Sequence, residues 1–134
     1  MKTQESMENY LETIYVLDQK TGFVRSVDVA TELGFSKPSI SNAMKKLKAE
    51  GYVQIEDIGR IVLTEKGRAL AENTYEKHCV IAHWLMHIGV SRETALEDAC
   101  RMEHILSEES FECMKKHHKE WHELSHEPEN EIER

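Results

Sequence analysis

A mainly α-helical chain with one small β-hairpin is predicted by three features of this 134-residue sequence. Apolar residues recur at helical spacing over most of its length. One stretch, 51–64, changes to β-branched and aromatic residues around a turn. The two halves also differ in charge and in metal-ligating side chains. Residues 1–70 carry 10 Lys/Arg against 10 Asp/Glu, whereas residues 71–134 carry 7 against 15 and hold all eight histidines and all three cysteines. A neutral first half can approach a polyanion, and an acidic, His- and Cys-bearing second half suits cations. The expected division is 1–70, 71–126, and a flexible tail over 127–134 that lacks apolar periodicity.

In the first half, Met7, Tyr10, Leu11, Ile14, Tyr15 and Leu17 form a helical stripe that Ser6 can cap. Gly22 breaks the pattern. Ser26-Val27-Asp28 opens a short second helix through Leu33, closed by Gly34. After a tight turn, Ser36 reads as the N-cap of a third helix with Pro38 in its first turn, where the missing N–H costs least. Ile40, Ala43, Met44 and Leu47 make its inner stripe, and its outer surface carries Lys37, Ser39, Ser41, Asn42, Lys45, Lys46 and Lys48. Two short helices joined this way, the second starting with hydroxyls and continuing into lysines, match a helix-turn-helix and its recognition helix. The hairpin that follows is a wing, with Asp57-Ile58-Gly59-Arg60 as its expected turn and Arg60 laid against phosphate. Ser39, Ser41 and Asn42 are placed to reach base edges and Lys37, Lys45, Lys46 and Arg60 to hold phosphates, with Ser36 and Pro38 completing the contact surface. The acidic Glu56 and Asp57 oppose this reading mildly.

The second half begins with a long helix from Glu65 to about His87, ended by Gly89. Ser91 caps the next helix, and Ser107-Glu108-Glu109-Ser110 starts the last. Cys100, Glu103 and His104 stand at i, i+3 and i+4, so a continuous helix would set a thiol, a carboxylate and an imidazole on one face. That combination suits a first-row divalent transition metal better than calcium or magnesium. Cys79, His83 and His87 recur every four residues and could form a second site, although packing in a subunit interface explains them as well. Cys113, His117, His118, His122 and His126 read as a solvated helix face. The three cysteines lack disulfide-framework spacing. No run of about 18 apolar residues and no signal-peptide core is present, so a cytoplasmic protein without membrane partners is expected.

Taken together, Ser6 to Tyr15, Ser36-Lys37-Pro38-Ser39-Ile40-Ser41, Leu63-Thr64-Glu65-Lys66-Gly67, His78 and Ala99-Cys100-Arg101-Met102-Glu103-His104 resemble the diphtheria-toxin-repressor and manganese-transport-regulator family of metal-dependent transcriptional repressors. The resemblance implies an N-terminal winged helix-turn-helix and a C-terminal helical metal-binding and dimerisation domain. It implies a homodimer on double-stranded operator DNA, with recognition helices about 34–36 Å apart. It also implies a metal site formed by Asn9 and Glu12, His78, and Cys100, Glu103 and His104. The chain ends where manganese-type members end, so the SH3-like domain of iron-type members is not expected.

Two departures from the manganese type bear on the ion. Asn9 stands where an Asp is usual, and Cys100 stands where a Glu is usual and agrees with the iron type. The iron type's ancillary site would need ligands near Ala82 and Leu96, which cannot coordinate. Thiolate softness favours iron(II), with cobalt, nickel or zinc active in vitro, and manganese(II) is the alternative. A metal-dependent enzyme using Cys100 and His104 is the competing class. The sequence opposes it by lacking a zinc-hydrolase His-Glu-x-x-His, a Gly-rich phosphate loop and a nucleophile elbow.

Overall fold

A computed structural model describes the backbone of residues 2–125 and the side chains of residues 5–117. The expected tail, with His126, lies outside the described residues, as do the side chains of His118 and His122. The elements run α1 (Lys2–Thr21), α2 (Ser26–Leu33), α3 (Lys37–Ala49), β1 (Val53–Ile55), β2 (Ile61–Leu63), α4 (Glu65–His87), α5 (Arg92–Met102) and α6 (Glu108–Ser125). This is the mainly helical chain with one small hairpin that the sequence predicts. Contacts divide it into two compact units, Met1–Asn73 and Thr74–Arg134.

The first unit closes around one apolar core. Leu11 and Ile14 come from α1, Val29 and Ala30 from α2, and Ile40, Met44 and Leu47 from α3. Val24, Val53, Ile61 and Ala71 complete it. Burying each large aliphatic side chain contributes roughly 1.5–3 kcal/mol, so these residues fix the angle between α2 and α3. Helix α3 is capped as expected: the Ser39 N–H donates to Ser36 Oγ, and Pro38 lies in the first turn. Of its inner stripe Ile40, Met44 and Leu47 are buried and Ala43 is half-buried, while Lys37, Ser39, Ser41, Asn42, Lys45 and Lys46 are exposed.

The wing differs from expectation in register. β1 and β2 pair antiparallel with Val53 opposite Leu63 and Ile55 opposite Ile61. The turn starts one residue early, with the Gly59 N–H donating to the Glu56 carbonyl (2.8 Å) and Gly59 at φ +89°. A left-handed residue there suits glycine and returns Arg60 to the strand. Arg60 therefore pairs with Arg25 across an isolated antiparallel bridge, and the Ile61 N–H donates to the Val24 carbonyl, which ties the segment before α2 to the wing.

Leu63 to Gly67 anchors this sheet to the start of α4. The Thr64 hydroxyl reaches the carbonyls of Gly51 (2.7 Å) and Tyr52 (3.0 Å) and accepts from the Gly67 N–H. Lys66 Nζ bonds the Glu50 carbonyl just past α3 and lies over the Tyr52 ring. Gly67 is buried against Tyr52: a Cβ there would fall 2.0 Å from the Tyr52 carbonyl oxygen.

In the second unit, α4 and α5 pack through Ile81, Ala82 and Ala99, with Cys79, Leu85, Met86, Leu96, Met102, Leu106 and Met114 around them. Helix α6 is held to α4 by Phe111, 1% exposed, with Lys77 bonded to Glu108 (2.7 Å) and Lys115 paired with Glu76 on either side. The Trp84 indole N–H donates to the Met114 carbonyl (3.2 Å), and its ring stacks on His117. Among the described residues no helix is long and apolar enough to cross a membrane.

Gly67→Ala is expected to lower unfolding stability by about 2 kcal/mol or more, because overpacking against rigid backbone has nowhere to relax. Chemical denaturation would show this, and an unchanged midpoint would contradict the close approach of α4 to Tyr52.

Candidate metal centre and nucleic-acid interface

The second unit brings His78, Cys100, Glu103 and His104 together. His78 stands in the part of α4 beyond Asn73 and is fully buried, and Glu103 is 1% exposed. His78 Nδ1 lies 3.0 Å from Glu103 Oε2 and 3.8 Å from Cys100 Sγ, while His104 Nε2 lies 3.4 Å from Glu103 Oε1. A ring N–H at Nδ1 donates to the carboxylate, which can only accept when ionised.

The local backbone differs from one continuous helical face. α5 stops at Met102, and Glu103 is its C-cap. The Glu103 N–H still donates to the Ala99 carbonyl, whereas the N–H groups of Ile105 and Leu106 both turn to Met102 (3.1 Å each). Glu103 thus keeps its helical spacing from Cys100, and His104 is carried on the tightened turn beyond.

Burial dominates the electrostatics. It holds His78 down to about 4, assisted by the nearby His104, so the ring is neutral at neutral pH. Burial pushes the Cys100 thiol up to about 11, and the Glu103 carboxylate adds to the shift. Cys79 is raised likewise, to about 11, chiefly by burial.

In the first unit, Asn9 and Glu12 lie three residues apart on α1, Asn9 half-buried and Glu12 fully buried. Among the described residues, no group of three or more His, Cys, Asp or Glu side chains is arranged to hold a metal ion as it stands. The donors of the second unit instead hold one another. Their chemistry nevertheless fits a divalent transition metal. A neutral buried imidazole, a buried carboxylate and a thiol are borderline, hard and soft donors in one place, and His78 Nε2 is buried with no hydrogen-bond partner among the described residues.

The other cation candidates separate. Cys79 joins the apolar cluster of α4 and α5, as do Ala82 and Leu96. His87 lies edge-on to Trp84, and among the described residues Cys79, His83 and His87 form no group arranged to hold a metal ion as it stands.

Of the residues expected to face DNA, Ser36, Lys37, Pro38, Ser39, Ser41, Asn42, Lys45 and Lys46 share the exposed surface of α3 and its cap. Ser36 is also tied to Ser39, hydroxyl to hydroxyl, at 2.9 Å. Arg60 is placed differently from expectation. Its guanidinium bonds the Gly22 carbonyl (3.2 Å), rests over the Phe23 ring and meets Glu56 at 4.0 Å, while the wing tip presents Ile58, 68% exposed. Arg25 was passed over in the sequence because it reads as a connector between helices, and only its pairing with Arg60 brings it to the wing.

The comparisons with known proteins settle the family. Residues 2–59 match the DNA-binding domain of the iron-dependent repressors, and residues 64–131 match their metal-binding and dimerisation domain. The chain belongs to the iron-dependent repressor family. Members of this family are DNA-binding transcriptional regulators, not enzymes, that bind a divalent transition metal and dimerise through the second matched domain. The chain is 34% identical over 112 residues to the transcriptional regulator MntR of Escherichia coli, covering 84% of this chain and 72% of that one. It is 35% identical over 102 residues to the regulator MntR of Geobacillus kaustophilus, covering 76% and 72%. The solved manganese regulator SloR superposes with a TM-score of 0.73 at 31% identity, over 83% of this chain and 52% of that one. The chain thus spans about half the length of that solved relative.

If Cys100 is a metal donor, cobalt(II) titrated into the reduced protein is expected to give a near-ultraviolet thiolate-to-metal absorption band. Cys100→Ser should abolish the band, and Cys113→Ser should leave it intact. A band that survives Cys100→Ser would exclude the thiol.

Proposed function

We propose that this protein is a cytoplasmic homodimeric repressor that binds duplex DNA when loaded with a divalent transition metal. The carrying observation is the coexistence of two features in one chain. A capped recognition helix presents an unbroken lysine and hydroxyl face, and a second unit buries imidazole, carboxylate and thiol together. The ligand set we assign is Asn9, Glu12, His78, Cys100, Glu103 and His104. The DNA-contacting set is built on Ser39, Ser41 and Asn42 for bases and Lys37, Lys45 and Lys46 for phosphates. Metal occupancy and operator affinity are then linked: an ion that favours the DNA-binding arrangement must itself bind more tightly when DNA is present. The domain boundaries we assign are 1–70 for the DNA-binding part, 71–126 for metal binding and dimerisation, and 127–134 for a tail.

Manganese(II) is the ion we assign as signal, since the relatives above are named as manganese regulators or share the name MntR. The iron(II) preference expected from donor softness finds no support in those names. It stays as the second reading because Cys100 is a soft donor.

Operator binding measured against free manganese(II) and iron(II) in anaerobic, reducing buffer tests both readings. Affinity is expected to rise with metal and to collapse with chelator, with manganese(II) acting at the lower free concentration. Equal affinity with and without chelator would refute metal dependence, and activation by iron(II) at lower concentration would restore the softer-ion reading.

A further inference from the structure

The outer face of the wing carries an arginine pair that the recognition helix does not explain. In an antiparallel bridge the two opposed residues project to the same side, and residues two apart on a strand do so as well. Arg25 and Arg60 are such a pair, and Phe23 precedes Arg25 by two. Their neighbours Val24 and Ile61 are buried in the core, so Phe23, Arg25 and Arg60 share the face turned away from it. Two guanidinium groups directly opposite each other repel, and the pairing is favourable only if something offsets the charge.

The two arginines are held very differently. Arg60 is braced by the Gly22 carbonyl, the Phe23 ring and the Glu56 carboxylate, and Glu56 in turn donates its backbone N–H to the Arg60 carbonyl (2.9 Å). Arg25 has a different task on its backbone: its N–H donates to Asp28 Oδ2 (2.8 Å), which fixes it at the start of α2 with extended dihedrals. Its side chain is exposed, and its stem runs beside Gly59, with Cδ 3.9 Å from where a Cβ on that glycine would sit. Of the two carboxylates at the pair, Glu56 meets the Arg60 guanidinium, and Asp28 meets the backbone N–H of Arg25.

From this arrangement we infer that Arg25 is the phosphate contact of the wing face and that Arg60 positions it by bracing the strand beneath. The anion is a phosphate of the DNA backbone. A fork of five donors on an exposed stem, fixed at its root and set beside a second cation, matches that group. The inference rests on the DNA-binding reading. It moves the wing's phosphate grip from the residue at the expected turn to one 35 positions earlier in the chain.

The test uses the full-length, metal-loaded protein on a random-sequence duplex, whose binding is supplied by phosphate contacts. Affinity is measured over a series of salt concentrations for the parent, Arg25→Ala, Arg25→Lys and Arg60→Ala, with thermal melting of each. Arg25→Ala should weaken binding and lower the slope of log affinity against log salt by about 0.9 per protomer, about 1.8 for the dimer with both heads engaged, with melting unchanged. Arg25→Lys should restore the slope. Arg60→Ala should lower the melting temperature instead. A parental slope in Arg25→Ala, or a slope lost in Arg60→Ala with melting unchanged, would overturn the assignment while leaving DNA binding in place. A parent that binds no duplex with any divalent ion would overturn the functional reading and this inference with it.

Discussion

A carboxylate and an imidazole buried against each other set the geometry of the second unit. His78 and Glu103 meet at 3.0 Å with both side chains shut off from solvent. Taking polar groups of this kind out of water costs several kcal/mol unless each finds a partner, so the pair is not a cheap source of stability. What it supplies is position. It ties the middle of α4 to the end of α5 at one register, and that register places Cys100 at 3.8 Å from the same ring. The contacts around it are arranged to keep it closed. Ala82 and Ala99 let the two helices approach, and Phe111 seals α6 onto α4 between the Lys77 and Lys115 pairs.

The same economy of polar groups holds in the first unit. At the turn after α3 the Thr64 hydroxyl donates to the Gly51 carbonyl and caps α4 by accepting from the Gly67 N–H, the Thr64 backbone N–H meets the Tyr52 carbonyl, and Lys66 reaches back to Glu50. A glycine at 67 is what allows the α4 backbone to press against Tyr52. The short sequence Leu63 to Gly67 therefore locks three elements at once: the end of α3, the wing and the start of α4. A recognition helix held at both ends presents its side chains with little rotational freedom left, which is the condition for reading an edge pattern.

Local signals made most of this legible from residues alone. Helical spacing, the caps at Ser36 and Ser91, the glycine stops and the β-branched run at 53–63 are each decided within a few positions, and the elements follow them except at the start of α1, which begins at Lys2 and carries the expected cap Ser6 inside the helix. The failures share another cause. The end of α5 carries no glycine or proline, and Glu103 keeps helical dihedrals (φ −60°, ψ −24°), so nothing in the sequence marks the change of hydrogen-bond partner that follows. Arg60 looked like a turn residue because Asp57 is a good turn former, yet Gly59 is the position that needs a left-handed backbone, and it pulls the turn forward. Arg25 was invisible because its pairing spans 35 residues. The choice of metal is not decided by the donors alone: donor softness ranks affinities at a given geometry, whereas selectivity also depends on geometry and on which metals are available.

Net charge poses the remaining question, since a chain of net charge −8 is asked to approach a polyanion. The placement of carboxylates in the first unit answers it. Glu5 lies in the first turn of α1, Asp28 in that of α2 and Glu65 in that of α4, where each complements a helix dipole. Glu12 is buried, and Glu56 is paired with Arg60. On α3 the only acid is the C-cap Glu50, whereas Lys37, Lys45, Lys46 and Lys48 stand exposed. A first half with balanced counts therefore has an unbalanced surface along α3, where four lysines are left to solvent while Glu5, Asp28 and Glu65 sit at other helix starts, Glu12 is buried and Glu56 is paired. At physiological salt, fields fade over about 8 Å, so a phosphate close to α3 responds to those lysines and not to the chain's total. Composition alone argues weakly against DNA binding here, and the local arrangement of charge argues for it.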